Sequence, residues 1–450
     1  MMDLIIGLIA VILVGYYIVK GYSATGVLMT VGLLLLLCSV LLDKAILPNS
    51  VKSTGSVYLD VFEYVKYLLM NRGGNLGMLI MVLCGFAAYM THIGANDMVV
   101  KLASQPLKYI KSTYLLMIVA YFLACLMSLA VPSATGLGVL LMATLFPIMV
   151  NVGISRGAAA SICASPAAII LSPTSGDVVL AAEVSKMPLL DFAFHLTLPI
   201  SILAIISIAI AHFFWQRYLD RKEGHCAEML AVSEIQTSAP RFYAILPFTP
   251  IVGVLVFDGK IAPELHIITI IVICLLLVAL IDFLRTFSAK KVYENLNVAY
   301  QGMADAFSGV VILLVATGVF AQGLSTIGFI HALIDSVQSV SSGGFLMMLA
   351  LALITALAAI TTGSGNAPFY AFVELIPKLA AHMGINPAYL TIPMLQASNI
   401  GRSLSPVSGV VVAVSGMAKI SPFEVVKRIS VPMLVGLIVV IVATEIMVVA

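Results

Sequence analysis

The chain has 450 residues; 61% are hydrophobic and 10% are charged, with 23 Lys and Arg against 21 Asp and Glu. An ordinary soluble domain is about 25% charged, so the surface of a soluble protein this long could not be covered. A mean hydropathy of +1.13 excludes a soluble enzyme, a disordered chain and a disulfide scaffold, and a net charge of +2 gives no reason to expect a nucleic-acid partner.

The composition is that of an all-α polytopic membrane protein, in which an apolar run of about 20 residues crosses the bilayer as a helix. The first run, 4–19, has no Lys or Arg before it and no small-residue cleavage site after it, so it reads as a span rather than a signal peptide. A second span follows at 24–42. Residues 51–72 are more polar, with Tyr58, Val61, Phe62, Val65, Leu68 and Leu69 at helical spacing, which predicts an amphipathic helix at the membrane surface. Residues 74–92 form the next span. The region 113–185 is long and apolar but broken by Gly, Ser, Thr and Pro clusters, and 192–215 spans again. The stretch 216–241 is the longest polar loop and carries Arg217, Arg221, Lys222 and Arg241, which places it in the cytoplasm. Spans at 243–257 and 265–284, an amphipathic helix at 286–305, a span at 306–328, a second interrupted region at 344–417 and a last span at 428–449 complete the chain.

Catalytic and metal motifs are missing. Cys38, Cys84, Cys125, Cys163 and Cys274 lie in apolar runs and read as small buried apolar residues, while Cys226 lies in the polar loop. There is no CxxC, HExxH, GxSxG or GxxxxGK[ST] pattern, so neither a metal site nor an ATP-driven pump is expected.

The chain repeats itself. Leu171-Ser172-Pro173-Thr174-Ser175-Gly176-Asp177 recurs as Leu404-Ser405-Pro406-Val407-Ser408-Gly409-Val410, and the same offset of 233 pairs Lys186 with Lys419 and Pro199 with Pro432. Each half then holds five spans plus a re-entrant hairpin and a broken helix, and an odd count places the halves in opposite orientations. The expected organisation is a first inverted repeat over 1–215, a cytoplasmic linker over 216–242 and a second repeat over 243–450. With the linker inside, most of the 23 Lys and Arg fall on the cytoplasmic side, and both termini fall outside.

Backbone in the hydrocarbon core must be hydrogen-bonded, so a helix breaks there only where protein or a water-filled cavity surrounds it. Ser-Pro-x-Ser-Gly makes such a break, and it frees the N–H groups of a half-helix, which suit a carboxylate. The hydroxyls of Ser172, Thr174, Ser175, Ser405 and Ser408 add donors. The small polar tips at Ser133-Ala134-Thr135 and Thr362-Gly363-Ser364-Gly365-Asn366 would meet them near the midplane, and two such ends facing each other suit a short dianion. The copies differ at Asp177, opposite Val410, and at Arg402, opposite Ile169. Ionisable groups inside a membrane point to function. Arg402 is expected to pair with a substrate carboxylate, and Asp177, with Asn366, is a candidate for coupling Na+ or H+. A structural Asp177–Arg402 pair is the bland alternative. The runner-up within transport is a sodium- or proton-coupled carrier of another small organic anion, an intramembrane enzyme or a channel is the alternative class, and no cofactor is expected.

At these residues the chain resembles the anaerobic C4-dicarboxylate carriers of enteric bacteria, within the ion transporter superfamily of elevator carriers. The stretches that carry the resemblance include SATGLGVLLMATLFP (133–147), SPTSGDVVLAA (172–182), TTGSGNAPFYAFVELIPKLA (361–380) and SNIGRSLSPVSGVVVAV (398–414). The resemblance implies fumarate/succinate exchange or succinate efflux across the bacterial inner membrane, with malate and aspartate as further substrates. It also implies a homodimer in which scaffold segments 4–92 and 243–328 hold a sliding body made of 113–215 and 344–450.

Overall fold

The computed structural model describes residues 2–20, 22–48, 51–105, 110, 112–131, 133–173, 175–224, 237, 239–257, 262–329 and 343–448. Thr174, Cys226 and much of the 216–242 linker lie outside these. No strand occurs among the described residues. In chain order the helices are α1 (Met2–Val19), α2 (Ala24–Leu41), α3 (Val57–Arg72), α4 (Met78–His92), α5 (Ala95–Ser104), α6 (Thr113–Met127), α7 (Ala134–Asn151), α8 (Arg156–Ala164), α9 (Gly176–Val184), α10 (Leu198–Glu223), α11 (Thr249–Val256), α12 (Ile267–Thr286), α13 (Ala289–Ala306), α14 (Ile312–Ile327), α15 (Gly343–Thr362), α16 (Asn366–Val373), α17 (Ile376–Met383), α18 (Pro387–Ser403), α19 (Gly409–Ala418) and α20 (Pro422–Met447). Among the described residues seven helices are long and apolar enough to cross a membrane, or eight if α4 and α5, bent by 65° at their junction, count as one span.

The repeat in the sequence reappears as a repeat of elements. α3 passes through a π-turn (Gly73–Gly77) into α4, and α13 passes through a π-turn (Phe307–Val311) into α14. Each run ends on a left-handed glycine, Gly94 (φ 76°) and Gly328 (φ 94°). Further on, α9 and α19 each follow a Ser-Pro break. Each is followed in turn by a lysine in the left-handed region, Lys186 (φ 54°) and Lys419 (φ 55°), a conformation rare for a residue with a Cβ.

Some expected boundaries change. The amphipathic segment 286–305 does not lie apart from the 306–328 span, because Ala289–Ile327 is one helical run. Glycines at 73–74 likewise open a π-turn instead of ending α3, so a mid-chain Gly signal loosened the helix without breaking it. The expected span 243–257 becomes a 3-10 turn (Arg241–Phe248) followed by the short α11, since Pro247 and Pro250 each remove a backbone donor. Cys38 and Cys84 are exposed, against the expectation that they are buried; Cys125, Cys163 and Cys274 are buried.

The major helix pairs are α2 with α14, α4 with α13, α15 with α18 and α10 with α20. The last pair is tied by charge. Arg428, 2% exposed, donates to Asp220 at 2.7 Å and to Glu424 at 2.8 Å, and also to Glu223. Ser155, the N-cap of α8, donates to the same Asp220 at 2.6 Å. Gly157 leaves room for this guanidinium, because a Cβ there would lie 2.3 Å from Arg428 Nε. Removing one partner of a buried ion pair costs about 3–5 kcal/mol. Arg428→Ala is therefore expected to lower the melting temperature of the purified protein sharply, whereas Lys427→Ala, whose side chain is 48% exposed, should change it little. Equal, small shifts for both would show that the network contributes no stability.

Outside the spans, the start of α3 is held by Asp60. Its carboxylate accepts from the Ser53 hydroxyl at 2.6 Å and from the Thr54 N–H and hydroxyl, both at 2.7 Å. These bonds, the Ser53 one foremost, hold it below the usual carboxylate range.

Candidate functional site

A cavity of about 300 Å³ lies where both halves meet. One wall is apolar and comes from α4: Ile80, Leu83, Phe86 and Met90, with Cys84 among them. The polar part of the lining comes from other segments. It is built by Ser133 before α7, Ser172, Ser175 and Asp177 around the first break, Asn366 at the start of α16, and Asn399 and Arg402 near the end of α18.

The first break is stabilised from the other half. Gln396 on α18 accepts from the Ile170 N–H at 3.1 Å and donates to Ile170 O at 3.4 Å and to Ser201 at 3.1 Å. Arg402 donates through Nη2 to Ala167 O at 2.6 Å. These side chains give the backbone of residues 167–170 the partners that a continuous helix would have provided, which is what allows the chain to open beside a cavity. The Nε of Arg402 and the Oδ1 of Asn399 are buried and have no hydrogen-bond partner among the described residues. Such groups are costly to leave unmade, and both residues line the cavity.

The helix N-termini differ in a way that matters. Ser408 caps α19 with its own hydroxyl, accepting from Val411 N at 3.4 Å. Ser175 makes no such bond at the start of α9, so the first-turn N–H groups of α9 lack a side-chain cap at the cavity wall. These N–H groups and the Arg402 guanidinium are donors suited to a carboxylate, with Asp177 the acidic group in the same lining.

The halves also pack crosswise. Asp177, the second residue of α9, accepts a hydrogen bond from Tyr370, the fifth residue of α16. Val410, the second residue of α19, packs on Gly138, the fifth residue of α7, where a Cβ would lie 2.9 Å from Val410 Cγ2. The two contacts occupy corresponding places, one polar and one apolar. No ion pair links Asp177 and Arg402 among the described residues, so Asp177 is satisfied by Tyr370 and not by direct pairing with the arginine.

Six of the residues picked out in the sequence thus line the cavity: Ser133, Ser172, Ser175, Asp177, Asn366 and Arg402. Five do not. Thr135 packs against Gly409, whose Cβ would lie 3.0 Å from its hydroxyl. Thr362 donates to Ala358 O at 2.7 Å, and Ser364 accepts from Ala367 N at 3.4 Å. Ser405 and Ser408 are fully buried in local turn and cap bonds. In this structure the second break therefore lies outside the cavity lining, and Ser405 and Ser408 accept hydrogen bonds from the backbone N–H groups of Val407 and Val411. Tyr370 and Asn399 were missed. The signal for Asn399 is the polar series Gln396, Ser398, Asn399, Arg402 and Ser403 inside a helix that is otherwise fully buried.

The model of the family described as "DcuC: C4-dicarboxylate anaerobic carrier" matches residues 2–449. The chain is 72% identical over 446 residues to the anaerobic C4-dicarboxylate transporter DcuC of Escherichia coli K12, covering 99% of this chain and 97% of the relative. It is 59% identical over 451 residues to a probable transporter of the same name from Vibrio cholerae, covering 100% and 98%. Among solved structures, the YdaH transporter of Alcanivorax borkumensis matches with a TM-score of 0.61 at 16% identity, over 94% of this chain and 97% of that one. MtrF of Neisseria gonorrhoeae matches with a TM-score of 0.60 at 14% identity, over 94% of each; both likenesses concern the fold. A polytopic helical chain, broken helices around a cavity lined by Arg402 and Asp177, and full-length identity agree: this is a transporter and not an enzyme, and the chain belongs to the DcuC family of anaerobic C4-dicarboxylate carriers.

Proposed function

We propose that this chain exchanges C4-dicarboxylates, fumarate for succinate foremost, across the bacterial inner membrane. The observation that carries the reading is the cavity, in which an arginine with a buried unpartnered Nε lies beside the N-terminus of α9, which lacks a side-chain cap. One substrate carboxylate pairs with Arg402, and the other meets the N–H and hydroxyl donors of Ser133, Ser172, Ser175 and Asn366 in the polar part of the lining. Asn399 offers an acceptor that suits a substrate hydroxyl or ammonium, so malate and aspartate are accommodated. Asp177, held by Tyr370, is the coupling residue for Na+ or H+.

The corresponding elements on either side of the 216–242 linker support two inverted repeats, 1–215 and 243–450, with both termini periplasmic. The apolar α4 wall belongs to the scaffold and the polar part of the lining to a moving body, which supports an elevator motion within a homodimer.

The test is counterflow in proteoliposomes, with unlabelled succinate inside and labelled fumarate outside, run with and without Na+ and at several pH values. Internal succinate is expected to accelerate fumarate entry at least tenfold. Entry that ignores internal succinate, together with uptake of an unrelated anion, would reject the proposal.

A further inference from the structure

A second cavity, of about 350 Å³, lies on the outside of the helix bundle, away from the first. It is a groove between α6 and α10, formed by Ile118 and Phe122 on one side and Ile206, Ile210, Phe213 and Phe214 on the other. Ile206, Ile210 and Phe214 are 42%, 54% and 65% exposed, so the groove opens outward. Tyr114, Ile118 and Phe122 recur every four residues on α6, as Ile206, Ile210 and Phe214 do on α10, so two apolar stripes oppose each other over about 12 Å.

One end of the groove is cationic. Arg217 lies over the Tyr114 ring, 5.8 Å from its centroid, and that ring meets Phe213 edge-on at 6.0 Å. Arg221 follows one turn further along α10. The acidic groups nearby are already taken: Asp220 by Arg428, and Glu223 by Arg428 and Lys427. Arg217 and Arg221 meet no carboxylate among the described residues, unlike Arg72, Lys427 and Arg428. An apolar channel on the outer surface of the helix bundle that ends under two arginines with no carboxylate partner among the described residues matches an amphiphile with an anionic head.

We propose that the α6–α10 groove binds one acyl chain of an anionic phospholipid, whose phosphate is held between Arg217 and Arg221 with Tyr114 at its base. The inference is independent of the transported substrate, since none of these residues touches the central cavity.

The test uses the full chain purified in detergent. Phosphatidylglycerol or phosphatidylcholine is added, and the lipid retained is counted by native mass spectrometry alongside the melting temperature. Wild-type protein is expected to retain phosphatidylglycerol preferentially and to melt higher with it. Arg217→Gln and Arg221→Gln should each weaken retention about fivefold, and the pair about twenty-five-fold. Ile210→Trp, which fills the groove and leaves the charges in place, should also release the lipid. The single Arg variants are exposed and keep the test readable if the double variant folds poorly. Retention by the Arg variants equal to wild type, equal retention of phosphatidylcholine, unchanged binding in Ile210→Trp, or the same stabilisation by inorganic phosphate alone would each overturn the proposal.

Discussion

Replacing Arg402 with alanine is expected to abolish dicarboxylate exchange, lowering kcat/KM by about 30-fold to several thousand-fold. Truncating one partner of a buried, hydrogen-bonded charge pair costs about 2–5 kcal/mol. The geometry supports the upper part of that range. One Nη2 bond goes to Ala167 O at 2.6 Å, while Nε is buried and unpartnered, so the guanidinium keeps donors in reserve for a ligand. Arg402→Lys preserves the charge but loses the planar fork, and it should recover only a small part of the rate. Because Arg402 also holds the first break, the variants need a fold check. The melting temperature should fall by no more than the loss of one hydrogen bond implies, while exchange falls far more. Exchange within twofold of wild type in Arg402→Ala would remove the arginine from the site.

The sequence made the outline of this site legible and left its asymmetry hidden. Asp177 and Arg402 stood out because ionisable residues in apolar segments are costly, and both line one cavity, 225 residues apart in the chain. The duplicated Ser-Pro break was equally visible, but duplication alone implies that both copies serve alike. Which copy faces the cavity depends on caps and cross-packing: Ser408 accepts from Val411 N as the cap of its helix, Ser175 makes no such bond, and Val410 seals against Gly138 where Asp177 meets Tyr370. Those choices are made between segments far apart in sequence, so no local pattern carries them. Tyr370 was hidden for the same reason, since an aromatic residue after a hairpin tip reads as packing until its partner is known. Helix ends were misjudged where glycines opened π-turns at 73–77 and where the polar 286–305 segment continued into its span, because continuity across such points is decided by neighbouring helices.

Linking Arg72 to Glu374 covalently is expected to stop exchange altogether if the pocket-bearing body slides. Arg72 ends α3, which packs with α14, and α14 packs with α2. From there it bridges two carboxylates, Glu183 at 2.9 Å and Glu374 at 2.6 Å. Glu183 lies on α9 and Glu374 directly after α16, the two helices joined by the Asp177–Tyr370 bond. A third polar contact follows, Lys378 Nζ to Ser325 Oγ at 2.5 Å. The proposed scaffold thus holds the proposed moving body by polar bonds. The Arg72–Glu183 bond, with Glu183 48% exposed, is weak enough to exchange for water during a cycle, whereas Arg72–Glu374, 16% and 13% exposed, is the firmer of the two contacts. A short bifunctional thiol reagent applied to Arg72→Cys/Glu374→Cys spans the gap that two long side chains bridge now, where a direct disulfide would demand closer backbones. Residual counterflow should track the fraction left unlinked, and either single-cysteine variant treated with the same reagent should retain its rate. A fully linked protein that still exchanges fumarate for succinate would mean that α3 travels with the pocket, and the sliding boundary would then have to be drawn elsewhere.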